Sequence, residues 1–144
     1  MASESMRKRK LFGFSVKSRK TKDGYVEKKR TLYLNTQGGR KEAGFLRYYI
    51  YPKEQKTAYL ENVETLEEFR GQKIAEVNLV KVLDDLKKKG VETVFLNSVS
   101  PAARKLFEKY GFDEEAPTVF VLKNLQMKKL PYVTPKLKKR KGGN

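Results

Sequence analysis

The stretch that decides the fold is RGQKIA, residues 70–75. It follows TAYLENVETL (57–66), whose β-branched and aromatic residues predict a strand, and it precedes a run with helical apolar spacing. A turn from a strand into a helix exposes helix N–H groups that have no internal partner and carry partial positive charge. Glycine lets a ligand approach such a turn closely. Because glycines are also common at ordinary helix starts, RGQKIA alone leaves both an anion site and a plain helix start open.

The residues after the turn predict a helix, a strand and a second helix. Apolar residues from Ile74 to Lys89 recur with one broad buried face, and Gly90 marks the end. VETVFLNS (91–98) predicts a buried strand. SPAARKLFEKYGF (100–112) predicts a short helix, with Ser100 as its N-cap and a proline at its first position.

The remaining segments predict strands on both sides of this unit. An Asp23-Gly24 pair is a hairpin signal, NTQGGRKEAG (35–44) predicts a loop, and TVFVLKNL (118–125) predicts a last strand. The other predicted strands are LFGFSV (11–16), KRTLYLNT (29–36) and FLRYYIYP (45–52). An antiparallel first half followed by a β–α–β second half predicts an α/β (α+β) fold with a mixed, mainly antiparallel sheet flanked by helices.

The net charge of +16 is concentrated at the two ends of the 144-residue chain. Residues 1–30 hold 11 basic and 3 acidic residues, and residues 123–144 hold 8 basic residues and no acid. The sequence therefore predicts a basic N-terminal arm (residues 1–10), one domain (11–130) and a basic C-terminal tail (131–144). Basic ends favour non-specific contact with nucleic acid, and they are also typical of solubility tails and nuclear import signals.

The composition excludes several kinds of chemistry. The chain has no cysteine and no histidine, so disulfides, thiol nucleophiles, Ser-His triads and zinc sites with these ligands are excluded, and no metal site is predicted. Acid–base chemistry would need Glu, Asp, Tyr, Lys or water. Neither a membrane span nor a secretory h-region is visible, so we expect an intracellular protein, cytoplasmic or nuclear, or nucleoid-associated in a prokaryote, without membrane contact.

Two motifs in order resemble the Gcn5-related N-acetyltransferase (GNAT) superfamily. In ENVETLEEFRGQKIA (61–75), Arg70, Ile74 and Ala75 match the family turn [Q/R]-x-x-G-x-[G/A], and Gly71 matches a common Arg-Gly opening. SPAARKLFEKYGF matches the second family motif, and the resemblance covers about residues 44–125. The matching residues of the second motif are Ala102, Ala103, Leu106, Glu108, Lys109, Gly111 and Phe112.

The resemblance implies the acyl-CoA N-acyltransferase fold, with acetyl-coenzyme A (acetyl-CoA) as donor and an unidentified amine as acceptor. The turn would hold the pyrophosphate, and the strand before it would separate from VFLNS and bind the pantetheine arm. The implied cofactor-binding residues are Val63, Thr65, Arg70, Gly71, Gln72, Lys73, Ile74, Ala75 and Asn97. The acceptor amine would attack the thioester directly while a base or water takes its proton.

Three residues are candidates for the catalytic groups. The resemblance makes Glu61 and Glu64 candidate bases, and strand alternation puts them on opposite faces, so at most one faces the cofactor. Phe107 stands at the position of the tyrosine that often serves as general acid in the family, which leaves Tyr110 as the candidate acid. The alternatives are solvated strand carboxylates and a core aromatic residue.

The sequence departs from the family pattern at further points. Lys73 stands at a family glycine: with positive φ it would obstruct the phosphates, and with ordinary helical φ, the interpretation we favour, it would point outward and contact them. The two helices that usually follow the first strand are not visible. The sequence therefore leaves two hypotheses. The first is an N-acetyltransferase, and the second is a catalytically weak or inactive protein of this fold that acts as a nucleic-acid-associated structural or accessory protein.

Overall fold

The computed structural model describes residues 12–65, 70–71, 73–97 and 100–136, and within these ranges the side chains of residues 62–65 are left out. The described chain forms seven strands and two α-helices. In chain order they are β1 (Phe12–Lys20), β2 (Val26–Thr36), β3 (Gly39–Ile50), β4 (Thr57–Thr65), α1 (Ile74–Lys88), β5 (Thr93–Asn97), α2 (Pro101–Lys109), β6 (Asp113–Ala116) and β7 (Val119–Leu122).

All seven strands belong to one sheet, in the order β1-β2-β3-β4-β5-β7-β6. The pair β4–β5 is parallel, and the other described pairs are antiparallel. A parallel pair needs a crossover connection, and α1 provides it. The predicted mixed, mainly antiparallel sheet is therefore confirmed.

Both helices pack on the same face of the sheet. The α1 residues Leu79, Val82, Leu83 and Leu86 belong to one buried cluster, which also holds apolar residues of β3, β4, β5 and β7 and Phe107 of α2. The face of the sheet that carries this cluster is called the helix face below. The helical spacing of the α1 residues explains this single broad contact.

A second buried cluster extends the core beneath the start of α1. Ile74 and Val77 pack there with Leu32, Leu34 and Ala43 of β2 and β3. This cluster fixes the first turn of α1 against the sheet, so the segment that enters the helix has a defined position.

Capping residues lie at the helix ends where the sequence predicts them. Ser100 accepts a hydrogen bond from the Ala103 amide at 3.4 Å, which confirms it as the N-cap of α2. The residues after the two helices, Gly90 and Gly111, have φ of +83° and +93°, the left-handed conformation that suits a C-terminal stop. The Asp23-Gly24 turn is also confirmed, with Gly24 at φ +86°.

Two of the segment predictions are wrong. Most of NTQGGRKEAG (35–44) is strand, because β2 runs to Thr36 and β3 already begins at Gly39. These polar residues form strands through backbone pairing across a register shift between Leu32 and Tyr33, which the side-chain pattern does not reveal. β6 was not predicted, since DEEA (113–116) is an exposed acidic edge strand held by its pairing with β7.

In the part of the chain that the structure describes, no α-helix precedes α1, in agreement with the predicted lack of the two family helices. Within the same residues, no helix has the length and apolar character needed to span a bilayer. The described side chains also contain no group of three or more His, Cys, Asp or Glu residues suited to a metal ion.

Candidate functional site

The parallel pair β4–β5 opens partway along β4. The described pairs run from Thr57 opposite Thr93 to Leu60 opposite Leu96. Beyond Leu60, β4 continues to Thr65 in register with β3, while β5 ends at Asn97. Among the described residues, β4 and β5 therefore pair only up to Leu60 and Leu96, and the separation that the family resemblance implies beyond this point stays a prediction.

A β-bulge lies where the two strands diverge. Leu60 is opposite Tyr48 and Asn62 is opposite Arg47, so Glu61 is the extra residue of β4. The bulge interrupts the alternation from which Glu61 and Glu64 were assigned to opposite faces, and because the Glu64 side chain lies outside the described part of the structure, that assignment stays a prediction. A bulge of this kind re-aims a side chain, here the Glu61 carboxylate.

Two β3 side chains hold the Glu61 carboxylate. The Tyr49 hydroxyl shares its one hydrogen between Glu61 at 3.2 Å and Glu27 at 3.0 Å, and Arg47 forms an ion pair with Glu61 at 3.7 Å. Partial burial, together with hydrogen bonds to Glu27 and Glu61, raises the pKa of Tyr49 to about 12. The phenol therefore stays protonated at neutral pH and keeps donating. Since the Glu61 side chain remains 38% exposed, an acceptor can reach it.

Asn97 marks the other side of the gap. Its amide nitrogen donates to the Tyr59 hydroxyl at 2.9 Å, so its side chain bridges β5 to β4 just before the strands part. The structure thus brings Asn97 close to the bulge. Gln72 lies outside the described residues, and for Val63, Glu64 and Thr65 the structure describes the backbone pairing with β3 and no side chain.

Within the RGQKIA segment, Arg70, Gly71 and Lys73 are exposed, and the backbone is left-handed at Gly71 and Lys73. Gly71 has φ +84° and Lys73 has φ 61° and ψ 25°, and α1 begins at Ile74. The N-cap residue, Lys73, makes no side-chain hydrogen bond to the first amides of α1, and helix amides without such a cap can bind an anion. A cavity of about 310 Å³ adjoins the turn. Its lining residues are Arg70, Gly71, Lys73, Ile74, Ala75, Glu76 and Leu106.

Tyr110 does not face the gap as a free acid. Its hydroxyl donates a short hydrogen bond to Glu76 in the first turn of α1, and Lys109 donates to the same carboxylate at 2.7 Å. Burial and the hydrogen bond to Glu76 raise the pKa of Tyr110 well above its usual value. Phe107 is buried against Phe112 and has no hydroxyl to offer. The arrangement ties α2 to the start of α1.

The sequence matches a family model described as the acetyltransferase (GNAT) family over residues 6–112. The chain belongs to the GNAT acetyltransferase family. The acyl donor of this family is acetyl-CoA, which agrees with the donor implied by the two motifs. No curated protein sequence matches the chain.

Solved acetyltransferases have the same fold as this GNAT chain. The ribosomal-protein-S18-alanine N-acetyltransferase from Escherichia coli has a TM-score of 0.58 at 20% identity, over 78% of this chain and 94% of its own. For Tetrahymena GCN5 the TM-score is 0.52 at 15% identity, over 67% of this chain and 68% of its own. The PaiA N-acetyltransferase from Thermoplasma acidophilum, solved with coenzyme A, has a TM-score of 0.51 at 19% identity, over 65% of this chain and 59% of its own. At these identities the likeness shows the fold alone.

The residues of this GNAT domain fit the donor. A Cβ built at Gly71 meets no heavy atom within 4 Å, so the turn borders open space. The uncapped amides of α1 face a cavity that also holds the cations of Arg70 and Lys73, which suits a diphosphate. The unpaired half of β4 offers backbone groups of the kind that hydrogen-bond an extended amide chain.

Lys73 adopts the conformation that its family glycine position requires. The favoured expectation of ordinary helical φ is wrong, since φ is 61°. The next residue, Ile74, is buried in the second cluster, so the backbone at Lys73 joins an exposed turn to a buried helix start. A positive φ is the case in which the sequence predicts that Lys73 obstructs the phosphates. Its side chain is exposed, so we expect it to lie at the rim of the turn, and whether it obstructs or contacts the phosphates is decided by the Lys73→Gly variant.

We expect Lys73→Gly to raise the free energy of unfolding by about 0.5–1 kcal/mol, because a left-handed residue with a Cβ costs roughly 1–2 kcal/mol and glycine loses more entropy on folding. Acetyl-CoA affinity should fall about threefold as one cation near the phosphates is lost. Urea unfolding and calorimetric titration measure the two effects. Lys73→Asn, which tolerates this φ without charge, is the matched variant. Tighter binding by Lys73→Gly would mean that the lysine obstructs the site.

We expect Glu76→Gln to lower the free energy of unfolding by about 1 kcal/mol at pH 7. Burial works against the charged form, but the Lys109 and Tyr110 hydrogen bonds outweigh it and lower the pKa of Glu76. Because the pKa of Glu76 is lower in the folded protein than its unfolded value of about 4.5, the charged carboxylate stabilises the fold at pH values above 4.5. This stabilisation is lost as the pH falls through the folded pKa. Urea unfolding at pH 7 and pH 3 should therefore show a difference between the proteins that shrinks at pH 3. A difference independent of pH would contradict this account.

Proposed function

We propose that this GNAT protein is an acetyl-CoA-dependent N-acetyltransferase with Glu61 as its base. The observation that carries the proposal is the bulge, which sets an exposed carboxylate at the point where β4 and β5 part. The turn that we propose for the phosphates follows the same strand along the chain. The cofactor-binding set comprises Arg70, Gly71, Gln72, Lys73, Ile74, Ala75, Val63, Thr65 and Asn97.

Acetyl-CoA, when bound, supplies an acetyl group activated as a thioester. Glu61 takes a proton from the acceptor amine, whose nitrogen then forms the new N–C bond as the C–S bond breaks. Tyr49 and Arg47 orient the carboxylate for this step. With Phe107 at the place of the family acid and Tyr110 donating to Glu76, the thiolate takes its proton from water. Glu64 is the second candidate base, and we rank Tyr110 below both carboxylates as a catalytic group.

Thiol release tests this proposal with little background, because the chain has no cysteine. The probes are a peptide with an N-terminal alanine, a lysine peptide and spermidine, each with acetyl-CoA, and mass spectrometry identifies the acetylated amine. Calorimetry measures acetyl-CoA binding in parallel. Acetylation of any probe above the uncatalysed rate supports the proposal. Failure to bind acetyl-CoA at millimolar concentration would remove it.

Binding without transfer would favour the second candidate, a catalytically weak accessory protein. The observation behind this candidate is the loss of a free tyrosine acid, since Phe107 is buried and the Tyr110 hydroxyl is held by Glu76. Coenzyme A thiolate leaves more slowly when no enzyme acid protonates it. The loss of the tyrosine acid therefore lowers the turnover rate without preventing the reaction.

Contact of the basic ends with nucleic acid is a further part of the proposal. Residues 1–11 and 137–144 lie outside the described residues, while residues 131–136 run along α1 with Val133 against the second cluster. Removal of 137–144, which contains four basic residues, should lower both the affinity for single-stranded DNA and its salt dependence. Unchanged affinity after this truncation would contradict a role for the C-terminal end.

A further inference from the structure

The sheet face opposite the helices carries an unusual row of positive charge. In the β1–β2–β3 register, Lys17 is directly opposite Lys29, and Lys29 is directly opposite Arg47. Residues directly opposite each other share a face, and the β3 neighbours of Arg47, Leu46 and Tyr48, belong to the core on the helix face. The three cations therefore share the other face, called the open face below.

Such a row works against stability. Like charges directly opposite each other on a sheet repel, and neither Lys17 nor Lys29 has a carboxylate partner among the described residues. Two carboxylates lie at the Arg47 end of the row. Glu27 is bound by Arg19 at 2.6 Å and Arg47 at 3.9 Å, and Glu61 pairs with Arg47 at 3.7 Å. Lys17 and Lys29 therefore remain adjacent cations whose repulsion costs folding free energy, and such a pair is complementary to an anionic partner.

The row borders a concave surface. A pocket of about 300 Å³ lies over it, between the outer strands. Its lining residues are Lys17, Ser18, Arg19, Glu27, Lys29 and Arg47. Four cations and one carboxylate thus surround a space large enough for more than one phosphate group.

Aromatic rings continue the open face beside the cations. Phe45 comes two residues before Arg47 on β3, and the Lys29 ammonium lies 4.4 Å from the centroid of its ring. Tyr49, two residues after Arg47, stacks on Tyr59 with ring centroids 6.5 Å apart. All three rings are half-buried, so each keeps part of its surface open to solvent.

We propose that the open face binds single-stranded nucleic acid. The row of Lys17, Lys29 and Arg47 contacts phosphates, and Phe45 and Tyr49 provide rings on which unpaired bases stack. Duplexes keep their bases stacked on each other and do not offer them to a flat aromatic surface. This site is separate from the phosphate turn and does not depend on acetyl transfer. Because Arg47 also pairs with Glu61, a bound strand would pass beside the bulge.

The experiment compares full-length variants in fluorescence anisotropy with labelled 20-mers of oligouridylate, oligothymidylate and a DNA duplex. We expect Lys17→Gln/Lys29→Gln to weaken binding of both single strands about tenfold and to reduce the salt slope by about 1.4. Lys53→Gln/Lys129→Gln is the control, since it removes the same charge from exposed positions elsewhere and should change affinity less than twofold. Comparing the two single strands shows whether RNA or DNA is preferred.

A second variant separates stacking from charge. Phe45→Leu keeps an apolar side chain and removes the ring, so affinity should fall about fivefold or more with an unchanged salt slope. Lys17→Gln/Lys29→Gln should keep or raise the melting temperature, because repulsion is removed, so weaker binding cannot come from unfolding. The proposal is overturned if the control pair loses as much affinity, if the duplex binds as tightly as the single strands, or if Phe45→Leu binds normally.

Discussion

Replacing Gly71 with aspartate is expected to weaken acetyl-CoA binding at least 100-fold, or about 2.7 kcal/mol. Gly71 has φ +84°, and a Cβ added there points into open space next to the cavity at the start of α1. The new carboxylate would therefore lie where we place the diphosphate, and it would oppose both its charge and its access to the helix amides. Calorimetric titration with acetyl-CoA measures the loss.

Gly24→Asp is the matched control for this variant. Gly24 has φ +86°, and a Cβ there also meets no heavy atom within 4 Å, so backbone strain and added charge are the same. Gly24 lies in the β1–β2 turn, at a different place from the phosphate turn. We expect Gly24→Asp to bind acetyl-CoA normally while losing similar stability. If both variants lose binding equally, the effect comes from unfolding and the turn is not the phosphate site.

The sequence was sufficient for the features that depend on local signals. The helical spacing after Ile74, the cap at Ser100 and the glycine stops all act within a few residues, and each is found where it was predicted. The family motifs also imply that β4 and β5 separate, and this stays a prediction. These features together place the turn at the start of α1 and make the family recognisable.

The sequence was insufficient where pairing between distant strands decides the structure. Alternation in TAYLENVETL is unbroken as a pattern, yet pairing with β3 inserts a bulge at Glu61. The contacts of Arg47 and Tyr49 with Glu61 were missed for the same reason, since no local pattern links β3 to this carboxylate. Lys73 was misjudged because its φ is set by how Ile74 is anchored in the core.

The bulge also changes how Glu61 should be weighed against Glu64. Before the structure, both were strand carboxylates with equal claims. Glu61 now has two partners that hold its carboxylate at the point where the strands part, and it remains accessible. An oriented carboxylate in a cleft is what a general base requires, so the largest catalytic effect is expected there.

Glu61→Gln is expected to lower kcat for acetyl transfer by about 100- to 10,000-fold, the usual contribution of a positioned general base. Glutamine keeps the size of the side chain and can still accept the Tyr49 hydrogen bond, but it cannot take a proton from the amine. The acetyl-CoA dissociation constant should change less than threefold, because the base does not contact the diphosphate. Thiol release with the best amine probe, together with calorimetry, gives both values.

Two variants make this result specific. Glu54→Gln removes the same charge from an exposed turn and should leave kcat unchanged. Tyr49→Phe keeps Glu61 but removes its orienting hydroxyl, so kcat should fall less than in Glu61→Gln, by about tenfold. A normal kcat in the Glu61→Gln protein would mean that Glu64 or water acts as the base. A loss of acetyl-CoA binding equal to the loss of kcat would instead assign Glu61 to the donor site, because a base acts on the acceptor and leaves donor affinity intact.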